Sequence, residues 1–164
     1  MNLTLTRRGD YALRAALYLA QDWDRDGFAK IRDVASAMSL PISYTPQVLG
    51  LLARGGLARA KAGRDGGYRL ARAPSAISVL EVVEAAEGDL RSTTCILRGG
   101  PCRWDGTCAV HDAWASASES FRRSLSRTTL ADLAREDLAR ERPARADRQV
   151  GRRGAGTASP RPRT

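Results

Sequence analysis

The sequence predicts a mainly α-helical fold with one small β-hairpin: a winged helix-turn-helix followed by a long C-terminal helix. Three observations in its 164 residues lead there. Two short stretches with helical apolar spacing, 31–38 and 43–54, are joined by a tight connection containing Pro41. A Gly-rich segment with an arginine at its tip, 57–70, follows at once and reads as a hairpin. Further on, residues 110–125 repeat large apolar side chains at intervals of three and four, the mark of a helix with one apolar seam.

The first helix is read over Arg8–Trp23, where Leu13, Ala16, Leu17 and Ala20 share a face, and Gly27 with its polar neighbours ends that region. Ile31, Val34, Ala35 and Met38 mark a short second helix, and Ser39–Ile42 form the connection. A third helix starts at Ser43 and turns Val48, Leu51 and Leu52 inward. Pro46 is tolerated in its first turn, where the missing N–H has no intrahelical partner. Gly55-Gly56 stops it, since a left-handed cap favours glycine. Strands at Leu57–Lys61 and Gly67–Leu70 flank the turn Ala62–Gly66.

Ser78 and Glu81 form a capping box for a fourth helix, with Ile77 and Val82 as its hydrophobic staple. Val79, Leu80, Val83 and Ala86 supply its apolar face, and Gly88 ends it. Asp89–Thr107 shows no periodicity and is long enough to be a functional loop. Val110, Ala113, Trp114, Ala117, Phe121 and Leu125 then line the long helix. The preceding helices already supply a small core, so this seam is expected to be a helix–helix dimer interface. Thr129 and Asp132 signal a last short helix ending near Ala139. The expected organisation is a winged helix-turn-helix domain at 1–88, a cysteine-rich loop at 89–109 and a dimerisation helix with a short terminal helix at 110–140. A disordered basic tail is expected at 141–164.

Charge narrows the partner. The formal net charge is +9, with seven arginines against two acids in 141–164 and six basic residues against one acid in 54–72. Double-stranded DNA is the partner that a basic helix-turn-helix implies, its second helix lying in the major groove. Ser43, Tyr44, Thr45 and Gln47 stand at the start of that helix as candidate base readers; glutamine suits adenine and threonine a thymine methyl. Arg59, Lys61 and Arg64 on the hairpin are candidates for phosphate or for the more negative minor groove. The longest uncharged run near the start, Ala15–Gln21, falls far short of the roughly 20 apolar residues of a membrane span. Arg7, Arg8, Asp10 and Arg14 break up any signal peptide, so a cytoplasmic location with reduced thiols and no membrane partner is expected.

Cys95, Cys102 and Cys108, with the single histidine His111, form the pattern C-x6-C-x5-C-x2-H among Gly99, Gly100, Pro101 and Gly106. All three cysteines of the chain in one Gly-rich loop point to a metal site rather than to three buried hydrophobes. Structural zinc usually takes cysteines in close pairs. The wider spacings here suit an iron–sulfur cluster, 2Fe–2S or 4Fe–4S, whose sulfurs accept hydrogen bonds from loop N–H groups. Three thiolates leave one iron to another ligand, His111 or a carboxylate such as Asp10. A hard carboxylate on a soft cluster makes a weak, reactive corner suited to sensing.

Taken together, Leu5–Arg14 (L-T-R-R-G-D-Y-A-L-R), Ile31–Ala35 through Ser43–Leu49, the wing Gly63–Leu70, the capped helix Ile77–Gly88 and the cysteine loop resemble the Rrf-two family of bacterial transcription regulators, of the IscR/NsrR type. The resemblance covers residues 1 to about 140. It implies a homodimer with crossing C-terminal helices, whose cluster state controls operator binding. Members sensing iron–sulfur status imply a histidine ligand at His111, and members sensing nitric oxide imply Asp10 ligating across the dimer. The chain departs from the pattern with six residues, not five, between its first two cysteines, and with Ala62 where some relatives place arginine. Arg64 or Lys61 then has to supply the minor-groove contact.

The expected function is thus a DNA-binding transcriptional regulator, a repressor, answering nitric oxide, redox state or iron–sulfur status. A zinc- or thiol-based redox switch on the same scaffold is the alternative, and a small iron–sulfur electron carrier a more remote one; a carrier needs neither recognition helix nor basic wing. No enzyme is expected, because His111 has no nucleophile partner and no phosphate-binding glycine loop is present.

Overall fold

The computed structural model describes residues 5–90 and 108–139. The tail at 141–164 and most of the cysteine loop lie outside the described residues. The elements run α1 (Arg7–Gln21), α2 (Ile31–Ala37), α3 (Thr45–Arg54), β1 (Ala58–Lys61), β2 (Gly67–Leu70), a 3-10 turn at Pro74–Ala76, α4 (Val79–Glu87) and α5 (Ala109–Arg127). Residues 130–139 form a further helix, α6. The two strands pair antiparallel, with Ala58 opposite Leu70, Arg59 opposite Arg69, Ala60 opposite Tyr68 and Lys61 opposite Gly67.

Helix α1 is central and packs against α3, α4 and β2. Its buried residues are Gly9, Ala12, Ala15, Ala16, Leu19 and Ala20, while Leu13 and Leu17 are only half-buried. The buried face is therefore rotated from the one the leucines suggest. A helix approached on several sides places its small residues at the closest contacts, and alanines lower the distance of approach. Thr6 caps α1, accepting from the Gly9 N–H at 3.4 Å. The Glu87 carboxylate accepts from the Thr6 N–H at 3.1 Å and from the Thr6 hydroxyl at 2.6 Å, tying the end of α4 to the start of α1. A side chain at position 9 would meet the carboxylate end of Glu87 and displace it from Thr6, so glycine leaves room for this tie.

Leu49, Leu52, Val48, Leu70, Ile77 and Val82 fill the middle of the core. Leu49 is fully buried whereas Leu51 is not. Both capping boxes form and lie side by side: Ser78 with Glu81, and Thr129 with Asp132. The Val79 N–H donates to the Thr128 carbonyl at 2.8 Å and the Leu130 N–H to the Ile77 carbonyl at 2.9 Å, joining the starts of α4 and α6. Leu130 and Ala134 enter the same core as α1 and α3, so α6 packs with the winged unit. Burial alone would raise the Glu81 carboxyl. Hydrogen bonds from the Ser78 N–H, the Arg72 guanidinium and the Ser78 hydroxyl outweigh it and hold the group below the ordinary glutamate range.

Helix α5 differs from all of this: none of its 19 residues is buried. It packs on α4, and Arg122 reaches Glu84 at 3.3 Å. Among the described residues no helix is long and apolar enough to cross a membrane.

Candidate functional site

The turn between α2 and α3 is set by Ser39, whose backbone is left-handed (φ 54°), and by the Leu40 N–H donating to the Ala35 carbonyl at 2.8 Å. This reverses the chain and presents the start of α3 outward. Ser43 and Gln47 are exposed there and accessible to a base edge. Tyr44 is half-buried, its ring edge-on to that of Tyr11 of α1 at 5.9 Å. Thr45 requires a correction. It is 1% exposed, and its hydroxyl donates to the Pro41 carbonyl at 2.9 Å. Its position in the first turn faces the core and closes the inter-helix turn, which leaves it no path to a thymine methyl. Ile42, 54% exposed just before α3, is the apolar side chain presented on this surface.

The hairpin is anchored to the same unit. Ala29, just ahead of α2, exchanges backbone hydrogen bonds with Tyr68 at 2.8 and 2.9 Å. Lys30, the residue preceding α2, donates its Nζ to the carbonyls of Arg64 at 2.6 Å and Gly66 at 2.7 Å. That clip fixes the hairpin tip relative to the helix-turn-helix, a role no sequence signal announces. Gly66 and Gly67 are demanded by space: a Cβ would strike the Lys61 carbonyl at the first and the Ala29 carbonyl at the second. Arg64 and Asp65 are the exposed centre of the turn. Arg59 and Lys61 point away from the core, since Ala58 in the same strand is buried.

The ion pairs divide the surface. Arg14, Arg25, Arg72, Arg122, Arg123 and Arg135 each meet a carboxylate. Arg59, Lys61 and Arg64 meet none among the described residues, and neither does Arg69, directly opposite Arg59; Arg7, Arg8, Arg32, Arg54 and Arg127 also meet none, but only the hairpin brings four such cations together. Cations gathered on one hairpin without a counter-charge of this kind form a surface complementary to a polyanion.

Of the cysteines only Cys108 is described; Cys95 and Cys102 lie outside the described residues. Cys108 is a half-buried free thiol at the N-cap of α5, where no side-chain cap bond is made. The His111 N–H donates to the Cys108 carbonyl at 3.0 Å, placing the imidazole one turn along. Asp10 pairs with Arg14 at 2.9 Å on the α1 surface, both side chains being more than two-fifths exposed. Among the described residues no three His, Cys, Asp or Glu side chains come together as a metal site.

Residues 5–136 match the family Rrf2, described as an iron-dependent transcriptional regulator. A helix-turn-helix-type transcriptional regulator of Azotobacter vinelandii, ORF2, is 34% identical over 137 residues, 83% of this chain and 82% of that one. The regulator IscR of Yersinia pseudotuberculosis is 32% identical over 131 residues, 80% of this chain and 79% of that one. Among solved structures, the global cysteine regulator CymR of B. subtilis superposes with a TM-score of 0.69 at 25% identity, covering 82% of this chain and 98% of that one. IscR of T. potens superposes with a TM-score of 0.66 at 26% identity, covering 84% and 90%.

Proposed function

The chain belongs to the Rrf2 family of transcriptional regulators, and we propose that it acts as a homodimeric repressor whose grip on its operator is set by an iron–sulfur cluster on Cys95, Cys102 and Cys108. Its relatives are DNA-binding winged-helix regulators, not enzymes. The DNA-binding half rests above all on Arg59, Lys61 and Arg64, without carboxylate partners among the described residues, together with Ser43 just before α3 and Gln47 in its first turn, both exposed. Ser43, Tyr44 and Gln47 would read or border base edges, and the three cations would hold phosphate or enter the minor groove. Arg64→Ala should weaken operator binding; equal affinity at matched salt would remove that assignment.

The sensing half rests on where Cys108 sits. Three soft thiolates suit a cluster, which when bound supplies redox and nitric-oxide chemistry. Cys108 is the capping residue of α5, so whatever holds its sulfur also holds the end of the proposed dimer helix. Glu84 joins the other side of the loop, accepting from the Leu90 N–H at 3.2 Å and from Arg122 of α5. The start of the loop is thus tied to α5 at Arg122, while its end at Cys108 is the other end of the same helix. A change at the thiols shifts α5 relative to the winged unit and so alters the spacing of two recognition helices, which DNA requires to be about 34 Å. A bias of about 1.4 kcal/mol between binding-competent and incompetent states changes occupancy tenfold away from saturation.

The fourth ligand divides the signal. Asp10 has to leave Arg14, an exposed pair worth at most about 1 kcal/mol. His111 is already one turn from Cys108. Anaerobic purification followed by visible absorbance, with operator binding before and after nitric oxide, tests the proposal. A brown protein that bleaches and releases DNA supports it, and its loss in Asp10→Ala or in His111→Ala identifies the ligand. A colourless protein holding one zinc, or none, overturns the cluster. The second reading is then a thiol switch, favoured by the free, half-buried thiol of Cys108 and by the solved oxidized form of the relative CymR of Staphylococcus aureus.

A further inference from the structure

We propose that Ile42 reads the C5-methyl group of a thymine in the major groove, an assignment that rests on the DNA-binding reading above and names a base which that reading leaves open.

No charged residue occurs between Asp33 and Arg54, the stretch that holds the inter-helix turn and nearly all of α3. The start of the helix that faces base edges therefore carries no arginine or lysine for guanine and no carboxylate for cytosine. Its exposed side chains are instead Ile42, Ser43, Pro46 and Gln47, with Thr45 turned into the core. Glutamine suits adenine, and the apolar feature that the major groove presents is the thymine methyl. Of the four, Ile42 alone has a branched aliphatic side chain. It is 54% exposed, the most of any large apolar side chain among the described residues.

The turn holds Ile42 in place before any DNA arrives. The Pro41 carbonyl accepts from the Tyr44 N–H at 3.0 Å, the Thr45 N–H at 3.0 Å and the Thr45 hydroxyl at 2.9 Å. Ile42 and Ser43 are thus the two central residues of a closed turn. On its other side the Leu40 N–H donates to the Ala35 carbonyl at 2.8 Å. Isoleucine is itself stiff about χ1, because it branches at Cβ. A rigid side chain on a rigid turn loses little entropy on contact. Buried Thr45 therefore serves the contact indirectly, by locking the turn that presents its neighbour. Ser43 beside Ile42, and Gln47 one turn on from Ser43, supply hydrogen-bonding groups for the same stretch of groove.

The test uses the full chain and a duplex that it selects from a random-sequence pool. Each thymine of that duplex is replaced in turn by deoxyuridine, which removes the methyl group and keeps every hydrogen-bonding group of the base. At one thymine of a half-site the wild type should lose about fourfold in affinity, the worth of one buried methyl group. Ile42→Ala should bind thymine and uracil equally at that position and keep the wild-type preference at every other. Ile42→Val should retain part of the discrimination. Both variants should melt at the wild-type temperature, because the side chain is exposed. Wild-type indifference to uracil at every position overturns the proposal. So does discrimination that survives Ile42→Ala, because another side chain then reads the methyl. A lower melting temperature in both variants, with equal losses on thymine and uracil duplexes, overturns it by making Ile42 structural. Failure of the wild type to select any duplex removes the DNA-binding reading and the proposal with it, and so is distinguishable.

Discussion

Helices α1 and α5 are both amphipathic, yet they fare differently. In the 15 residues of α1 six are buried, chiefly alanines; in the 19 of α5 none is, although α5 carries Trp114, Phe121 and Leu125. Val110 and Phe121 remain 43% exposed. The helix with the larger apolar side chains is thus the one without a core. Small residues let α1 sit between α3, α4 and β2, where close approach makes each contact count. Large residues in a single seam suit one flat partner, and among the described elements α5 packs chiefly on α4. The contrast is what supports a second copy of the chain against α5 in the proposed assembly.

Substitutions can break that contrast. Leu52→Ala, in the core shared by α1 and α3, should cost about 2–5 kcal/mol in urea unfolding. Phe121→Asp should leave the unfolding of a monomer nearly unchanged while weakening dimerisation by about 2 kcal/mol, roughly thirtyfold. Sedimentation velocity at micromolar concentration checks it. If Phe121→Asp instead unfolds the chain as Leu52→Ala does, the α5 seam belongs to the chain's own core.

The caps sharpen the comparison, because the winged unit relies on local hydrogen bonds that the start of α5 lacks. Ser78→Ala should cost about 1 kcal/mol. It should also flatten the acid dependence of stability. Glu81 is held below its ordinary range in the folded chain, so its contribution is present above the unfolded value of about 4.3 and is lost as pH falls through the folded value. Urea midpoints of wild type and Ser78→Ala at pH 7 and pH 3 measure the difference. The smallest effect is a gain: Ser39→Gly removes a left-handed serine (φ 54°) from the inter-helix turn and should add up to about 1 kcal/mol.

Local chemistry makes much of this legible. The Ser78–Glu81 and Thr129–Asp132 boxes, Pro46 in the first turn of α3 and the glycines of the hairpin are short-range signals, and the elements they predict form within one or two residues of the expected bounds. Arg69 is within reach of the same logic, since alternation along β2 turns it outward with Leu70 inward. Thr45 defeats it, because its chemistry suits a thymine methyl whereas its orientation depends on how α3 docks against the turn at Pro41. The Lys30 clip joins residues more than 30 positions apart and leaves no local pattern. The same holds for Glu87 on Thr6 and Arg122 on Glu84.

Helical periods, their caps, the hairpin and its charge follow from the order of residues alone, because each depends on neighbours within about four residues and on side-chain type. Long-range packing sets which face of α1 is buried, returns α6 to the core through Leu130, closes off Thr45 and fixes the wing by Lys30. These are questions of which surface meets which. They depend on packing between segments far apart in the chain, where close contact and buried hydrogen bonds, not local propensity, set the free energy.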